Sequence, residues 1–193
     1  MPIKGWRARR RGRYGGSDQA VHIVRKTHHV QGRFNLDPIY LKLLLLIVVA
    51  NLAPIVGQRM LRNRFASPLD CGLRFLDGRP LLGPSKTWRG YVFSTLITSA
   101  CAWIEGLDMA TGLVFALAVL LGDSVTSFIK RRLGLVPGGH APGLDQVLES
   151  LLPLLVVQHR FDLGLSGILG VVLTFIILNL IFWRYYRPLS LAG

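Results

Sequence analysis

The stretch ATGLVFALAVLLGDSVTSFIKR, residues 110–131, combines a long apolar run with polar side chains at its C-terminal end. This length and composition predict a membrane helix, since about 20 apolar residues cross the hydrocarbon core. Helical residues four and seven apart share a face, so Asp123, Ser127 and Lys130 form one stripe. The stripe predicts either a site for a metal–nucleotide complex or an interfacial anchor with snorkelling cations.

The composition of the whole chain is that of an integral membrane protein. Of its 193 residues, 51% are hydrophobic and 17% are charged. We therefore predict an all-α integral membrane protein with about five transmembrane helices. The block at 144–158 is short and contains Glu149, so it could be re-entrant rather than spanning. The apolar blocks are residues 40–57, 91–107, 110–129, 144–158 and 163–183.

The formal net charge of the chain is +13. In a polytopic protein such an excess indicates anionic lipid headgroups and the positive-inside bias, and we expect no nucleic-acid partner. The basic residues near the start predict a disordered arm over 1–38, followed by a polytopic membrane domain over 39–193.

The order of the apolar blocks predicts which loops share a side of the membrane. Two spans separate loop 58–90 from loop 130–142, so both emerge on one face, and both are rich in Lys and Arg. The hairpin between the second and third spans holds Glu105 and Asp108 instead. We predict a multi-pass protein of the cell membrane with both loops, and the active site, facing the cytoplasm. The basic arm conflicts with this rule, because it would lie on the opposite face.

Two loops contain the remaining candidate residues. Loop 67–90 reads SPLDCGLRFLDGRPLLGPSKTWRG and brings Lys86, Thr87 and Arg89 to the membrane surface. These cations suit phosphate oxygens, although interfacial anchoring of the next span explains them equally well. The segment PGGHAPGLDQ, residues 137–146, leads Asp145 into an apolar block. Asp145 is either a helix cap or, together with Asp123, part of a divalent-cation site.

Five sequence elements follow one another along the chain: Asn51-x-x-Pro54, Pro68-x-Asp70-x-Gly72 with Asp77-Gly78-Arg79, Leu82-Gly83-x-x-Lys86-Thr87-x-Arg89-Gly90, Gly122-Asp123 with Ser127-Phe128-Ile129-Lys130-Arg131-Arg132-Leu133-Gly134, and Pro142-Gly143-Leu144-Asp145-Gln146. Taken in this order, they resemble the CDP-archaeol synthase family. Within the fourth element, Ser127-x-Ile129-Lys130-Arg131 also looks like the signature of the related phosphatidate cytidylyltransferases.

The resemblance implies transfer of CMP from CTP to a membrane lipid phosphate, either unsaturated archaetidic acid or phosphatidic acid. The products would be a CDP-lipid and pyrophosphate. Asp123 and Asp145 would hold Mg²⁺ on the CTP phosphates and, with Lys86 and Lys130, form the catalytic set. The residues implied in substrate binding are Arg89, Thr87, Ser127, Arg131, Asn51 and Asp70.

One position departs from the family pattern. A second Asp usually follows Asp145-Gln146 two residues on, but position 148 is Leu. Glu149 is rotated from that position by about 100° on a helix. Either Glu149 substitutes through its longer side chain, or one metal is held differently, or the chain is impaired. The alternatives to an enzyme are therefore a non-catalytic membrane scaffold and a lipid- or nucleotide-binding pseudoenzyme.

Overall fold

The computed structural model describes residues 37–62, 64–136 and 143–190, with the backbone alone at residues 183 and 185–190. The predicted arm over 1–38 lies almost entirely outside these residues. The described part of the chain is helical, with isolated bridges in place of strands. Its helices are α1 Pro38–Leu61, α2 Trp88–Ile104, α3 Met109–Arg132, α4 Leu144–Val157 and α5 Leu165–Ser190.

Among the described helices, α1, α3 and α5 are long and apolar enough to cross a membrane. Helix α2 has 17 residues, and α4 has 14. At 1.5 Å per residue α4 is roughly 21 Å long, less than the hydrocarbon thickness of about 30 Å. The prediction of an all-helical integral membrane protein is confirmed.

Successive helices run antiparallel, which places their ends in two groups. At one end, Lys42 near the start of α1 donates to the carbonyl of Glu105 after α2. The backbone N–H of Gly164, before α5, donates to the Tyr40 hydroxyl at 3.1 Å. We call this end, with the turns at 105–108 and 158–164, the hairpin end. The opposite end, where residues 64–87 meet the C-terminus of α3, is the cavity end.

Apolar side chains fill the bundle between these ends. Each helix packs mainly on its neighbours in sequence, and α1 also contacts α3, α4 and α5. The fully buried core residues come from all five described helices and include Leu43, Leu46, Ile47, Ala102, Phe115, Val119, Leu154 and Ile168. The buried charged residues of the helices, Lys130, Arg131, Asp145 and Glu149, lie at the cavity end.

Candidate functional site

A cavity of about 540 Å³ lies at the cavity end of the bundle. Its polar wall includes five of the predicted catalytic and substrate-binding residues of α3 and α4, together with Lys86 of the loop and Asn51 of α1. Those residues are Asp123, Ser127, Lys130, Arg131 and Asp145. The stripe predicted from helical spacing therefore faces an internal space and not the lipid.

Helix α2 begins in a way that directs Lys86 towards α3. The Thr87 hydroxyl accepts from the Gly90 N–H at 3.4 Å, which makes Thr87 the N-cap and Lys86 the last residue before the helix. The Lys86 ammonium then donates to both carboxylate oxygens of Asp123. This ion pair joins the long loop to the C-terminal part of α3.

A second ion pair joins α3 to α4. Lys130 Nζ lies 2.9 Å from Asp145 Oδ1 and 3.0 Å from Asp145 Oδ2. Asp145 stands in the first turn of α4 because the chain turns sharply at Gly143, where φ is +92°. The Gln146 side chain accepts from the Gly143 N–H at 2.6 Å and fixes that turn. Both predicted metal ligands are thus held by lysines across helix boundaries.

Glu149 also lines the cavity, although it was not among the predicted site residues. Its side chain is buried, with 8% of the residue exposed, and it lies in hydrogen-bonding contact with Asp123. Leu148 contributes to the packing of α4 against α3 through its backbone. A Cβ on Gly122 would lie 2.5 Å from the Leu148 carbonyl oxygen, so the two helices are in close contact there. The four-residue spacing of Asp145 and Glu149 could have revealed Glu149, by the same rule that revealed the stripe on α3.

Arg131 presents a buried guanidinium to the cavity. The residue is 3% exposed, and its Nη2 donates to the Val136 carbonyl at 2.8 Å. Its Nε and Nη1 have no hydrogen-bond partner among the described residues. A buried cation with unused donors is costly unless an anion or water completes it, so this side chain favours an anionic ligand.

The remaining predicted residues lie away from this cavity. Asp70 accepts from the backbone N–H groups of Leu82 at 2.9 Å, of Gly83 at 2.8 Å and of Gly72 at 3.1 Å, and so closes the loop on itself. Burial opposes its ionisation, but these donors together hold the pKa of Asp70 below its ordinary value. Its contacts are therefore those of a loop-fixing residue.

Arg89 and Thr87 line a smaller cavity of about 250 Å³. Lys86 and Asp123 line both cavities, so their ion pair forms the wall between them. The Arg89 guanidinium donates to the Arg64 carbonyl at 3.0 Å and also to the carbonyl of Arg62. Arg89 thus ties the end of α1 to the start of α2.

The other wall of the larger cavity is apolar and is formed by the first and the last described helices. Residues of α1 and α5 form it: Val48, Leu52, Ile55, Phe175, Leu178 and Phe182. Leu52, Ile55, Leu178 and Phe182 are also exposed, by 45–52%. Asn179, which the sequence analysis missed, lies on this wall and accepts from Gln146 Nε2 at 3.1 Å. The cavity therefore meets the lipid-facing surface between α1 and α5.

The carboxyl groups of the cavity suit a hard divalent cation. Asp123 and Glu149 lie close together, and neighbouring carboxylates favour a cation beside them, as the Lys86 ammonium already shows at Asp123. Among the described residues no three His, Cys, Asp or Glu side chains converge closely enough to hold a metal alone. Mg²⁺ usually binds through one or two carboxylates together with phosphates and water, and the residues present fit that arrangement.

A helical membrane bundle with a charged internal cavity and an apolar side wall defines the class as that of an integral membrane protein. The comparisons with known proteins agree with this class. The profile of the CarS-like family, described as CDP-archaeol synthase, matches residues 36–186, and the chain belongs to this family.

Individual relatives support the assignment. The CDP-archaeol synthase of Hyperthermus butylicus is 42% identical over 97 residues, which cover 47% of this chain and 58% of the relative. That of Thermofilum pendens is 37% identical over 119 residues, covering 59% of this chain and 58% of the relative. The match thus spans less than two thirds of either relative.

A solved structure shares the fold. It is described as "an intramembrane enzyme for archaeal membrane lipids biosynthesis" and is 30% identical to this chain. The superposition covers 72% of this chain and 89% of the other, with a TM-score of 0.59. This chain is therefore similar in fold to a protein described as an intramembrane enzyme.

Proposed function

We propose that this protein transfers CMP from CTP to a membrane lipid phosphate, giving a CDP-lipid and pyrophosphate. The observation that supports this most strongly is the composition of the larger cavity. One wall offers buried cations and carboxylates, while the other is apolar and continuous with the lipid-facing surface. Such a cavity suits a reaction between a polyanionic nucleotide and a lipid headgroup.

The basic residues would bind the triphosphate. Arg131 has two unused N–H donors in its guanidinium, which suit phosphate oxygens. Lys86 and Lys130 would exchange their carboxylate partners for phosphate oxygens when the nucleotide enters. Charge placed in this way stabilises the negative charge that develops on the leaving pyrophosphate.

The carboxylates released by that exchange would hold the metal. Asp123, Asp145 and Glu149 are the candidate ligands for Mg²⁺, since all three line the cavity. Bound Mg²⁺ supplies charge neutralisation on the phosphates. Although position 148 is Leu and not the usual Asp, Glu149 still gives α4 a second carboxylate in the cavity. The pseudoenzyme alternative is therefore not favoured.

The lipid phosphate would enter between α1 and α5. Its oxygen attacks the α-phosphorus of CTP, a new P–O bond forms, and the bond between the α-phosphorus and the bridging oxygen breaks. Because the attacking phosphate is already anionic, the reaction needs no strong general base. Catalysis then consists mainly of positioning and charge stabilisation by Lys86, Lys130 and Arg131.

The proposed lipid is unsaturated archaetidic acid, with phosphatidic acid as the alternative. The matched relatives are named CDP-archaeol synthases, which favours the ether lipid. The apolar wall would accept either chain type, since both require only an apolar surface. We further propose that the cavity end faces the cytoplasm, where CTP is available and where basic loops are normally retained.

The test offers labelled CTP and Mg²⁺ to the protein in membranes, with each lipid phosphate supplied separately. We expect a CDP-lipid product, preferentially from the ether lipid. Asp123→Asn should lower turnover by about 100-fold or more, while the matched control Asp108→Asn at the hairpin end should not.

Other outcomes would contradict parts of this proposal. Full activity of Asp123→Asn would remove Asp123 from the mechanism. CTP binding without product from either lipid would identify a pseudoenzyme. A folded protein that neither binds CTP nor forms product would be a membrane scaffold.

A further inference from the structure

We propose that Arg132 is a positioning residue, which acts by fastening the long loop to the end of α3. This inference rests on the proposed function, because the loop presents Lys86 to the cavity. Arg132 does not line the cavity and reaches instead to the outside of the loop. Its role would be to fix the distance between Lys86 and the polar residues of α3.

Both terminal nitrogens of Arg132 bind the loop, while its Nε has no hydrogen-bond partner among the described residues. Nη1 donates to Asp77 Oδ1 at 2.6 Å, and Nη2 donates to the Pro80 carbonyl at 2.6 Å. The guanidinium carbon lies 4.7 Å from the ring centre of Phe75 and 4.9 Å from that of Phe128. Charged, hydrogen-bonded and cation–π contacts thus converge on one residue from both the loop and α3.

Arg79 makes the reciprocal contact from the loop. Its Nη1 donates to the Arg132 carbonyl at 2.8 Å and to the Arg131 carbonyl at 3.2 Å. These carbonyls at the C-terminus of α3 lack partners within the helix and carry its partial negative charge. A Cβ on Gly134 would lie 3.2 Å from Arg79 Nη1, so a glycine there leaves room for the arginine. We call these contacts, made by Asp77, Arg79 and Arg132 with the two aromatic rings, the loop clamp.

The loop clamp lies close in sequence to both lysines of the proposed catalytic set. The loop folds back at residues 73–81, where the Leu81 N–H donates to the Leu73 carbonyl at 2.9 Å and the Phe75 N–H to the Arg79 carbonyl at 2.9 Å. Five residues beyond Leu81 the chain reaches Lys86, and two residues before Arg132 stands Lys130. An unfastened loop would present Lys86 to the cavity only part of the time, so this fastening bears on the binding of CTP.

The expected consequence of loosening the clamp is a change in KM. If the loop occupies its place only about one tenth of the time, the apparent KM for CTP rises about tenfold. Once CTP holds Lys86 in place, kcat should remain within about twofold. A purely structural role would instead reduce the amount of folded enzyme and leave its KM unchanged.

The experiment compares Arg132→Gln with Arg74→Gln in the full-length protein. Arg74 is the matched control, since it is an exposed arginine of the same loop whose Nη1 bonds within the loop, to the Gly78 carbonyl at 3.0 Å. We expect Arg132→Gln to raise the KM for CTP about tenfold and to speed amide hydrogen exchange over residues 69–86. Arg74→Gln should change neither measurement, and Arg132→Lys, which keeps the charge but loses the fork, should fall between them.

Several results would overturn this proposal. Unchanged exchange in Arg132→Gln would show that the arginine does not hold the loop. Equal effects of both variants, or a loss of folded protein at constant KM, would show a general structural role. Wild-type protein without CTP turnover would refute the proposed function and the catalytic role of the clamp, whereas hydrogen exchange would still test the fastening itself.

Discussion

The two ends of the bundle use charge in opposite ways. At the cavity end, Lys130 and Asp145 form a pair whose side chains are 10% and 9% exposed. At the hairpin end, the side chains of Arg160 and Asp108 are 58% and 47% exposed. A buried pair is costly to form, whereas an exposed pair is screened by water. Burial of charge is thus what distinguishes the cavity end from the hairpin end.

The largest expected difference between the ends concerns Lys130. Lys130→Met should lower turnover by about 100-fold or more, because it removes a buried ammonium from the proposed phosphate site. Initial rates of CDP-lipid formation measure this effect. The matched control is Arg160→Met at the hairpin end, whose rate should stay within about twofold. Comparable losses in both variants would end the distinction between the two regions.

A second difference concerns packing beside the site. Gly122→Ala should destabilise the protein by about 1–3 kcal/mol, since the added Cβ meets the backbone of α4 at Leu148. Gly170→Ala on α5 is the control, because a Cβ there meets nothing within 4 Å. Thermal unfolding in detergent should show a fall in Tm for Gly122→Ala alone. An unchanged Tm would mean that α3 and α4 can move far enough apart to accommodate the methyl group without a loss of stability.

The loop at the cavity end should show its own pH dependence. Because the folded pKa of Asp70 is depressed, its contribution to stability is present above its ordinary pKa of 3.8 and is lost as pH falls through the lower folded value. Asp70→Asn should therefore lower Tm at neutral pH by an amount that vanishes in strong acid. Asp162→Asn at the hairpin end serves as the control. A pH-independent difference would assign the effect to lost hydrogen bonds alone.

The smallest expected effect belongs to the cap of α3. Asp108 Oδ1 accepts from the Thr111 N–H at 2.7 Å, and its Oδ2 accepts from the Thr111 hydroxyl at 2.8 Å. These two bonds, more than the charge of Arg160, lower the pKa of Asp108. Asp108→Ala should lower Tm by less than Gly122→Ala does and leave turnover unchanged. A loss of activity would show that the hairpin end communicates with the cavity.

Helical periodicity predicted much of this molecule from its sequence. The helix predicted over 110–131 is observed as Met109–Arg132, and its stripe of Asp123, Ser127 and Lys130 faces the cavity. Regular spacing fixes direction on a helix, so these residues could be placed before any contact was known. Glu149, which the sequence offered as one possible substitute for the missing Asp at position 148, lines the same cavity.

The long loop could not be predicted in this way. Asp70, Thr87 and Arg89 stay predicted substrate-binding residues, but the sequence did not show that Asp70 closes the loop or that Thr87 and Arg89 cap and tie helix ends. A loop has no period, so its sequence does not show whether a polar side chain meets a ligand or its own backbone. Asn179 was missed for another reason, since a lone Asn in an apolar run more often only packs helices.

Among the described residues that line the larger cavity, basic and acidic side chains are equal in number: Lys86, Lys130, Arg131, Asp123, Asp145 and Glu149. A polyanion therefore enters by exchange, because each lysine that it takes leaves a carboxylate behind. A proton or cation that then binds to those carboxylates strengthens the binding of the anion. By thermodynamic linkage, the anion strengthens the binding of that proton or cation by the same factor. The affinity of this cavity for an anion is thus set jointly by the protein and by the positive ions of the surrounding solution.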